Sequence, residues 1–248
     1  MMLKTKYFIA IIMVFTFKTT IAQTTTPVKP FDKVIVSPHV QATFIEGDQE
    51  SVTIENSTVS NDKINIEVKD KTLRIYLDGA KEITKNEKSY ENGYKEKHSI
   101  YNGTVVTATI TYKTLNDLSV RGEEIIVCKS PLKVDKFKLK IYGESHVFLN
   151  EVTFEELHTT IYGESDLVIK SGSIKDQRFT AYGESKINSL AITSNTTKIT
   201  AYGEAHFQVN VLDKMKVTSF GEAVVEYKGN PEITKGLNIG EVQIARIE

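Results

Sequence analysis

From Phe137 onward the chain alternates apolar and polar residues with a period of two. Phe137, Leu139, Ile141, Gly143, Ser145, Val147 and Leu149 lie two apart, so they share one side of an extended chain. Twenty residues later the same positions hold Leu157, Thr159, Ile161, Gly163, Ser165, Leu167 and Ile169. Phe179, Ala181, Gly183, Ser185 and Ile187 follow, then Ile199, Ala201, Gly203, Ala205, Phe207 and Val209. That side is apolar with two very small residues at its centre, and the opposite side carries Tyr142, Glu144, His146 and their equivalents. Val, Ile, Thr, Phe and Tyr dominate and no helix-period apolar stripe occurs, so the pattern predicts strands.

The alternation is punctuated by a repeat. Tyr142-Gly143-Glu144-Ser145 returns as Tyr162-Gly163-Glu164-Ser165, Tyr182-Gly183-Glu184-Ser185, Tyr202-Gly203-Glu204-Ala205 and Phe220-Gly221-Glu222-Ala223. Degenerate copies flank these at Arg121-Gly122-Glu123 and Ile239-Gly240-Glu241. The glycines at 122, 143, 163, 183, 203, 221 and 240 are separated by 21, 20, 20, 20, 18 and 19 residues. A step near 20 is too short for a propeller blade or a helix-pair repeat, and the leucine-rich signature is missing. An antiparallel sandwich would place turn signals every 8–12 residues rather than once per repeat. The prediction is an all-β parallel solenoid, a β-helix whose coils stack about 4.8 Å apart. Gly and the following Ser or Ala would occupy an inward corner where a larger side chain clashes.

Before the repeats, Val34, Val36, Val40, Ala42 and Phe44 follow the two-residue step with Pro38 interrupting, as do Ile64, Ile66 and Val68, and then Leu73, Ile75 and Leu77. The expected organisation is a single domain over 31–248. Lead-in coils or a capping sheet occupy 31–118, and the Gly-Glu coils occupy 119–248. Residues 79–103 are polar, Lys-rich and carry Asn-Gly twice, which predicts an exposed insertion loop.

The whole composition is that of a soluble globular chain: 248 residues, 40% hydrophobic, formal charge −1. Near-neutral charge gives no reason to expect nucleic acid as a partner. One cysteine, Cys128, excludes an intrachain disulfide and a Cys-based zinc site, and its inward register makes it a core residue. Lys4 and Lys6 precede the apolar run Tyr7–Phe17, followed by Thr20-Ile21-Ala22. This is a signal-peptide pattern with cleavage expected after Ala22, because the run is too short to span a membrane. Cleavage would remove three Lys and no acid, taking the charge from −1 to −4. Residues 23–30 then read as a short extended leader, and no transmembrane span is expected after cleavage. The expected location is the periplasm or the cell surface.

Taken in this order, the motifs resemble the putative auto-transporter adhesin, head GIN domain family of exported bacterial proteins. They are Phe31-x-x-Val34-x-Val36, the repeated small-residue corners, and the late Tyr227-Lys228-Gly229-Asn230-Pro231. The chain departs from that family's common Gly-Ser-Gly corner by using Gly-Glu-Ser or Gly-Glu-Ala. The resemblance implies a right-handed β-helix and export, and an adhesin-like role.

If coils stack in register, Tyr142, Tyr162, Tyr182, Tyr202 and Phe220 become an exterior aromatic column. Glu144, Glu164, Glu184, Glu204 and Glu222 become an acidic column beside it, with Glu123 and Glu241 at its ends. Stacked carboxylates repel by about 0.9 kcal/mol per pair in water. Such a column would suit a cationic or glycan partner, with Ca²⁺ bridging between carboxylates as a variant, although one file of carboxylates supplies few oxygens per site. The bland alternative is duplication of a solvated corner. An enzyme is not expected. Glycosidic chemistry needs two carboxylates in unlike environments, whereas these are near-identical copies, and His39, His98, His146, His158 and His206 are scattered. No cofactor or metal is predicted. The functional expectation is a non-enzymatic envelope or surface interaction module with an unknown protein or glycan partner, and end-to-end or edge self-association is open. The alternatives are a polysaccharide-binding or polysaccharide-degrading β-helix and a purely structural envelope protein.

Overall fold

The computed structural model describes residues 24–91 and 94–248; the expected signal peptide, residues 1–22, lies outside the described residues. The lead-in half contains β1 (Thr24–Pro27), β2 (Lys33–Val36), β3 (Val40–Glu46), β4 (Ser51–Ser57), β5 (Ile64–Lys69), β6 (Thr72–Leu77), β7 (Asn86–Glu91), β8 (Tyr94–Ser99) and β9 (Val106–Tyr112). The repeats contain β10 (Asp117–Gly122), β11 (Ile125–Cys128), β12 (Leu132–Gly143), β13 (His146–Leu149), β14 (Val152–Gly163), β15 (Asp166–Ile169), β16 (Gly172–Tyr182), β17 (Ser185–Gly229), β18 (Glu232–Ile239) and β19 (Val242–Arg246). A single 3-10 turn at Asn61–Lys63 is the only helical element among the described residues.

These strands wind into a parallel β-solenoid with coils of about twenty residues. Each full coil presents three runs, such as Leu132–Val134, Lys136–Gly143 and His146–Leu149, paired in parallel with Val152–Phe154, Glu156–Gly163 and Asp166–Ile169 of the next. One coil cannot cover its own apolar side; the stack does so. Leu118, Leu139, Thr159, Phe179 and Ile199 form one inward file, all in register and all buried. The adjacent file narrows from Ile141 and Ile161 to Ala181 and Ala201. The volume is made up by Phe179 and Phe207, whose rings lie 6.4 Å apart, so the interior stays close-packed.

The glycine corner is a contact between backbones. Gly163 has φ +112°, and a Cβ there would sit 2.3 Å from the Gly143 carbonyl oxygen. The following serine faces inward and caps that carbonyl: Ser145 Oγ donates to Gly122 O at 2.8 Å and Ser165 Oγ to Gly143 O at 2.9 Å. Small size explains half of the Gly-Glu-Ser pattern, and a buried donor for an inward carbonyl explains the rest. At the first corner Glu124 replaces the serine. Its carboxylate is buried, accepts from Glu123 N at 3.0 Å, and is pushed above the ordinary carboxylate range by burial.

The lead-in half mixes both anticipated arrangements. Strands β2 and β3 make one parallel coil beneath β10 and β11, seated in turn on β6 and β9. Antiparallel β4, β5 and β1 cover that end. Thr24–Pro27, within the expected leader, pairs with Ile54–Ser51 as a sheet strand. The polar insertion is not an irregular loop. Residues Asn86–Glu91 and Tyr94–Ser99 pair as an antiparallel hairpin, and its base is tied back where His39 Nε2 meets Thr84 Oγ1 at 2.6 Å. The hairpin is a separate two-stranded sheet, and one anchored at its base needs no apolar face of its own, so polar composition does not distinguish it from a loop.

Candidate interaction surface

Parallel register turns the sequence repeat into columns. Tyr142, Tyr162, Tyr182, Tyr202 and Phe220 stack ring on ring with centroid separations of 5.0, 4.7, 4.7 and 5.0 Å and interplanar angles of 3–6°. The period is that of the strands, so the aromatic rings repeat the backbone spacing without distortion. Arg121, which holds the tyrosine position in the degenerate first copy, places its guanidinium 4.8 Å from the Tyr142 ring. That guanidinium is held by Glu82, which also binds Arg74. At the other end Ile239 pairs with Phe220 and is exposed.

Because the rings are stacked face to face, their faces are covered by one another. What reaches solvent is ring edge and the phenol hydroxyl. Burial, reinforced by Tyr162 and Tyr202, raises the Tyr182 hydroxyl above its ordinary value. A sugar or base seeking a free aromatic face finds none between these rungs; the column presents ring edges and, at its four tyrosines, hydroxyls.

Glu144, Glu164, Glu184, Glu204 and Glu222 are all exposed, each two residues past an aromatic rung. Among the described residues none of the five side chains has a hydrogen-bond or ion-pair partner. Glu164, Glu184, Glu204 and Glu222 border a trough of about 580 Å³ also lined by His146, Asp166, Lys186 and His206. His146 Nδ1 meets Asp166 Oδ2 at 2.8 Å, and His206 Nε2 meets Glu226 Oε2 at 3.0 Å. The Glu226 carboxyl lies below its ordinary range, through Gln208 first and His206 second. The structure thus brings together the glutamates and two of the five histidines. His39 is at the first corner, His158 stands on a different side, and His98 is on the hairpin. No group of three metal-ligating side chains occurs among the described residues. Gly122, Gly143, Gly163, Gly183, Gly203, Gly221 and Gly240 all have positive φ and sit behind the column.

The family description for the putative auto-transporter adhesin, head GIN domain, matches residues 30–231. The chain belongs to that family. Among solved structures, a putative adhesin from Bacteroides fragilis NCTC 9343 superposes with a TM-score of 0.75 at 20% identity, over 93% of this chain and 98% of that one. A protein described as a putative lipid binding protein from Parabacteroides distasonis ATCC 8503 gives 0.65 at 18% identity, over 91% and 97%. A putative adhesin from Parabacteroides merdae ATCC 43184 gives 0.63 at 17% identity, over 92% and 96%. At these identities the likeness is one of fold. No curated protein matches. No helix among the described residues is long and apolar enough to cross a membrane.

Sequence reasoning missed one feature of this surface. Four residues before each aromatic rung stand Lys138, His158, Arg178, Lys198 and Lys216. The first four are register partners across β12, β14, β16 and β17, and Lys216 continues the file because Phe220 stacks on Tyr202. The residue types vary, so no motif repeats by eye. Reading the charge sign at a fixed offset from each Gly-Glu would have revealed it.

Proposed function

We propose that this protein is an exported, non-enzymatic, adhesin-like interaction module of the cell envelope or surface, and that it grips a cationic partner along the acidic trough. The observation that carries the reading is the file of five exposed glutamates on successive coils, none of which has a hydrogen-bond or ion-pair partner among the described residues. A chain optimised only for stability would interleave signs, since adjacent like charges oppose one another. The near-identity of the acidic rungs also favours binding over catalysis, because hydrolysis of glycosidic bonds requires two carboxyls held in unlike environments.

The test uses the chain from Gln23 onward. Poly-lysine and an uncharged poly-amide of equal length are titrated in calorimetry, against the native protein and a Glu164→Gln/Glu184→Gln/Glu204→Gln variant. The account expects saturable, salt-sensitive binding of poly-lysine that the variant loses. Equal binding by the variant, or release of reducing ends from a panel of envelope polysaccharides by the native protein, would overturn it. Fractionation of producing cells should find the processed protein in the periplasm or at the surface; retention in the cytoplasm would contradict the export expectation.

A further inference from the structure

The side of the solenoid that precedes the aromatic column has the opposite character to the trough. Two residues before the rings runs Lys140, Thr160, Thr180, Thr200 and Thr218, with the first four in register. Two residues further back runs the cationic file Lys138, His158, Arg178, Lys198 and Lys216. Lys138, Arg178, Lys198 and Lys216 are exposed. Among the described residues neither these four cations nor the four threonine hydroxyls have a side-chain partner. The acids beyond the file are already engaged: Glu156 by Lys136 at 2.6 Å and Asp176 by the Thr196 hydroxyl. His158, 3.3 Å from Glu156, is held below its ordinary value by burial first and then by Lys136 and Arg178. At the file's first rung the surface dips into a concavity of about 590 Å³ lined by Lys33, Lys133, Lys136 and Lys138, with Asp117 and Asp135.

We infer that this strip is a binding surface for an extended polyanionic glycan, such as a uronic-acid polymer, lying along the solenoid axis. Three parallel files can donate or present positive charge toward it: the phenol hydroxyls of Tyr142, Tyr162, Tyr182 and Tyr202, the hydroxyls of Thr160, Thr180, Thr200 and Thr218, and the ammonium or guanidinium groups of Lys138, Arg178, Lys198 and Lys216. Carboxylates or sulfates on a chain accept from all three. The rungs repeat every 4.7–5.0 Å, comparable to the advance of one pyranose along an extended chain, so successive units meet equivalent groups and weak contacts add by multivalency. A single-stranded nucleic acid would need free aromatic faces for its bases, and the ring faces here are consumed by stacking. An anionic membrane would call for apolar side chains beside the cations, whereas the neighbours are Thr on one side and Lys136, Glu156, Asp176 and Thr196 on the other. This inference concerns a different side and the opposite charge from the acidic trough, and it stands or falls separately.

The test is biolayer interferometry of the chain from Gln23 onward on immobilised polygalacturonate. Fully methyl-esterified polygalacturonate serves as the uncharged control with the same backbone. Oligo-dT and vesicles of phosphatidylglycerol are the other arms. The expected result is binding to polygalacturonate that weakens as salt rises and is absent on the ester. An Arg178→Gln/Lys198→Gln/Lys216→Gln variant should bind about tenfold more weakly, the sum of three small exposed contacts. A Glu164→Gln/Glu184→Gln/Glu204→Gln variant should bind at least as tightly as the native chain. Because all six positions are exposed, both variants should keep the native circular dichroism. The inference is overturned by no binding to polygalacturonate, by equal binding to the ester, by an unaffected cation variant, or by tighter binding to oligo-dT or to the vesicles.

Discussion

Replacing Gly163 by Ala tests whether the corners are held by backbone contact between coils. Gly163 has φ +112°, and its added Cβ would lie 2.3 Å from Gly143 O, where Cβ atoms essentially never come under 3.0 Å. The coils would have to part locally by roughly 0.7 Å in an interior that is close-packed. Holding a non-glycine residue in that backbone region costs about 1–3 kcal/mol. The displaced carbonyl also accepts Glu164 N at 3.0 Å and Ser165 Oγ at 2.9 Å, and weakening these adds about 1 kcal/mol. The total, about 2–4 kcal/mol, corresponds to a fall in Tm of about 5–15 °C for a domain of this size. Gly103 is the internal control. It also has positive φ, +57°, but nothing lies within 4 Å of its would-be Cβ, so Gly103→Ala should cost only about 1 kcal/mol. Urea unfolding followed by far-UV circular dichroism measures both. Equal costs for the two variants, or a Gly163→Ala cost below about 1 kcal/mol, would refute the argument that the backbone conformation and the close coil contact together demand glycine there.

Three further outcomes follow from the same interior. Ser165→Ala should cost about 1 kcal/mol through the lost hydrogen bond to Gly143 O, and Ser165→Val about 1–3 kcal/mol more through overpacking; a valine variant as stable as the alanine one would show the corner to be roomier than described. Glu124 has its carboxyl raised above the ordinary 4.5 by burial, so the folded state favours the protonated acid. That contribution is fully present below the ordinary value and is lost as pH rises through the raised one. Glu124→Gln should therefore gain stability relative to the native chain as pH rises above the ordinary carboxylate value, and a urea-midpoint difference that does not change with pH would count against it. Burial pushes the Cys128 thiol up to about 12, so an aromatic disulfide reagent near neutral pH should label it only after unfolding; rapid labelling of the native protein would mean the core opens near β11.

The period-two alternation and the twenty-residue Gly-Glu step made the solenoid legible, because both are direct consequences of strand geometry. Tyr and Glu stand at fixed offsets from each glycine, so their columns could be drawn before any coordinates. Three things were not legible. The orientation of the rings depends on rotamers set by rung-to-rung contact, so the sequence could not say that stacking would cover the ring faces. The serine bond to the preceding glycine carbonyl is a long-range backbone contact, and small size alone already accounted for Ser alternating with Ala at 205 and 223. The strand sequences Asn86–Glu91 and Tyr94–Ser99 are mostly polar and charged, so they carry no alternating apolar signal. The cationic file was written in the sequence at a constant offset but in three residue types, and a search for identical letters passes over it.

The claim on which everything rests is that equivalent residues of successive coils lie above one another along one axis. Spin labels at Lys33→Cys, Lys138→Cys and Lys216→Cys, in a Cys128→Ala background, measure that axis by pulsed electron double resonance. Lys33 lies two rungs before Lys138 through Asp117, and Lys138 lies four rungs before Lys216. The account predicts about 19 Å for the 138–216 pair and about 29 Å for the 33–216 pair, each broadened by the label linkers. A 33–216 distance equal to or shorter than the 138–216 distance would contradict the stacked columns, and with them both binding surfaces.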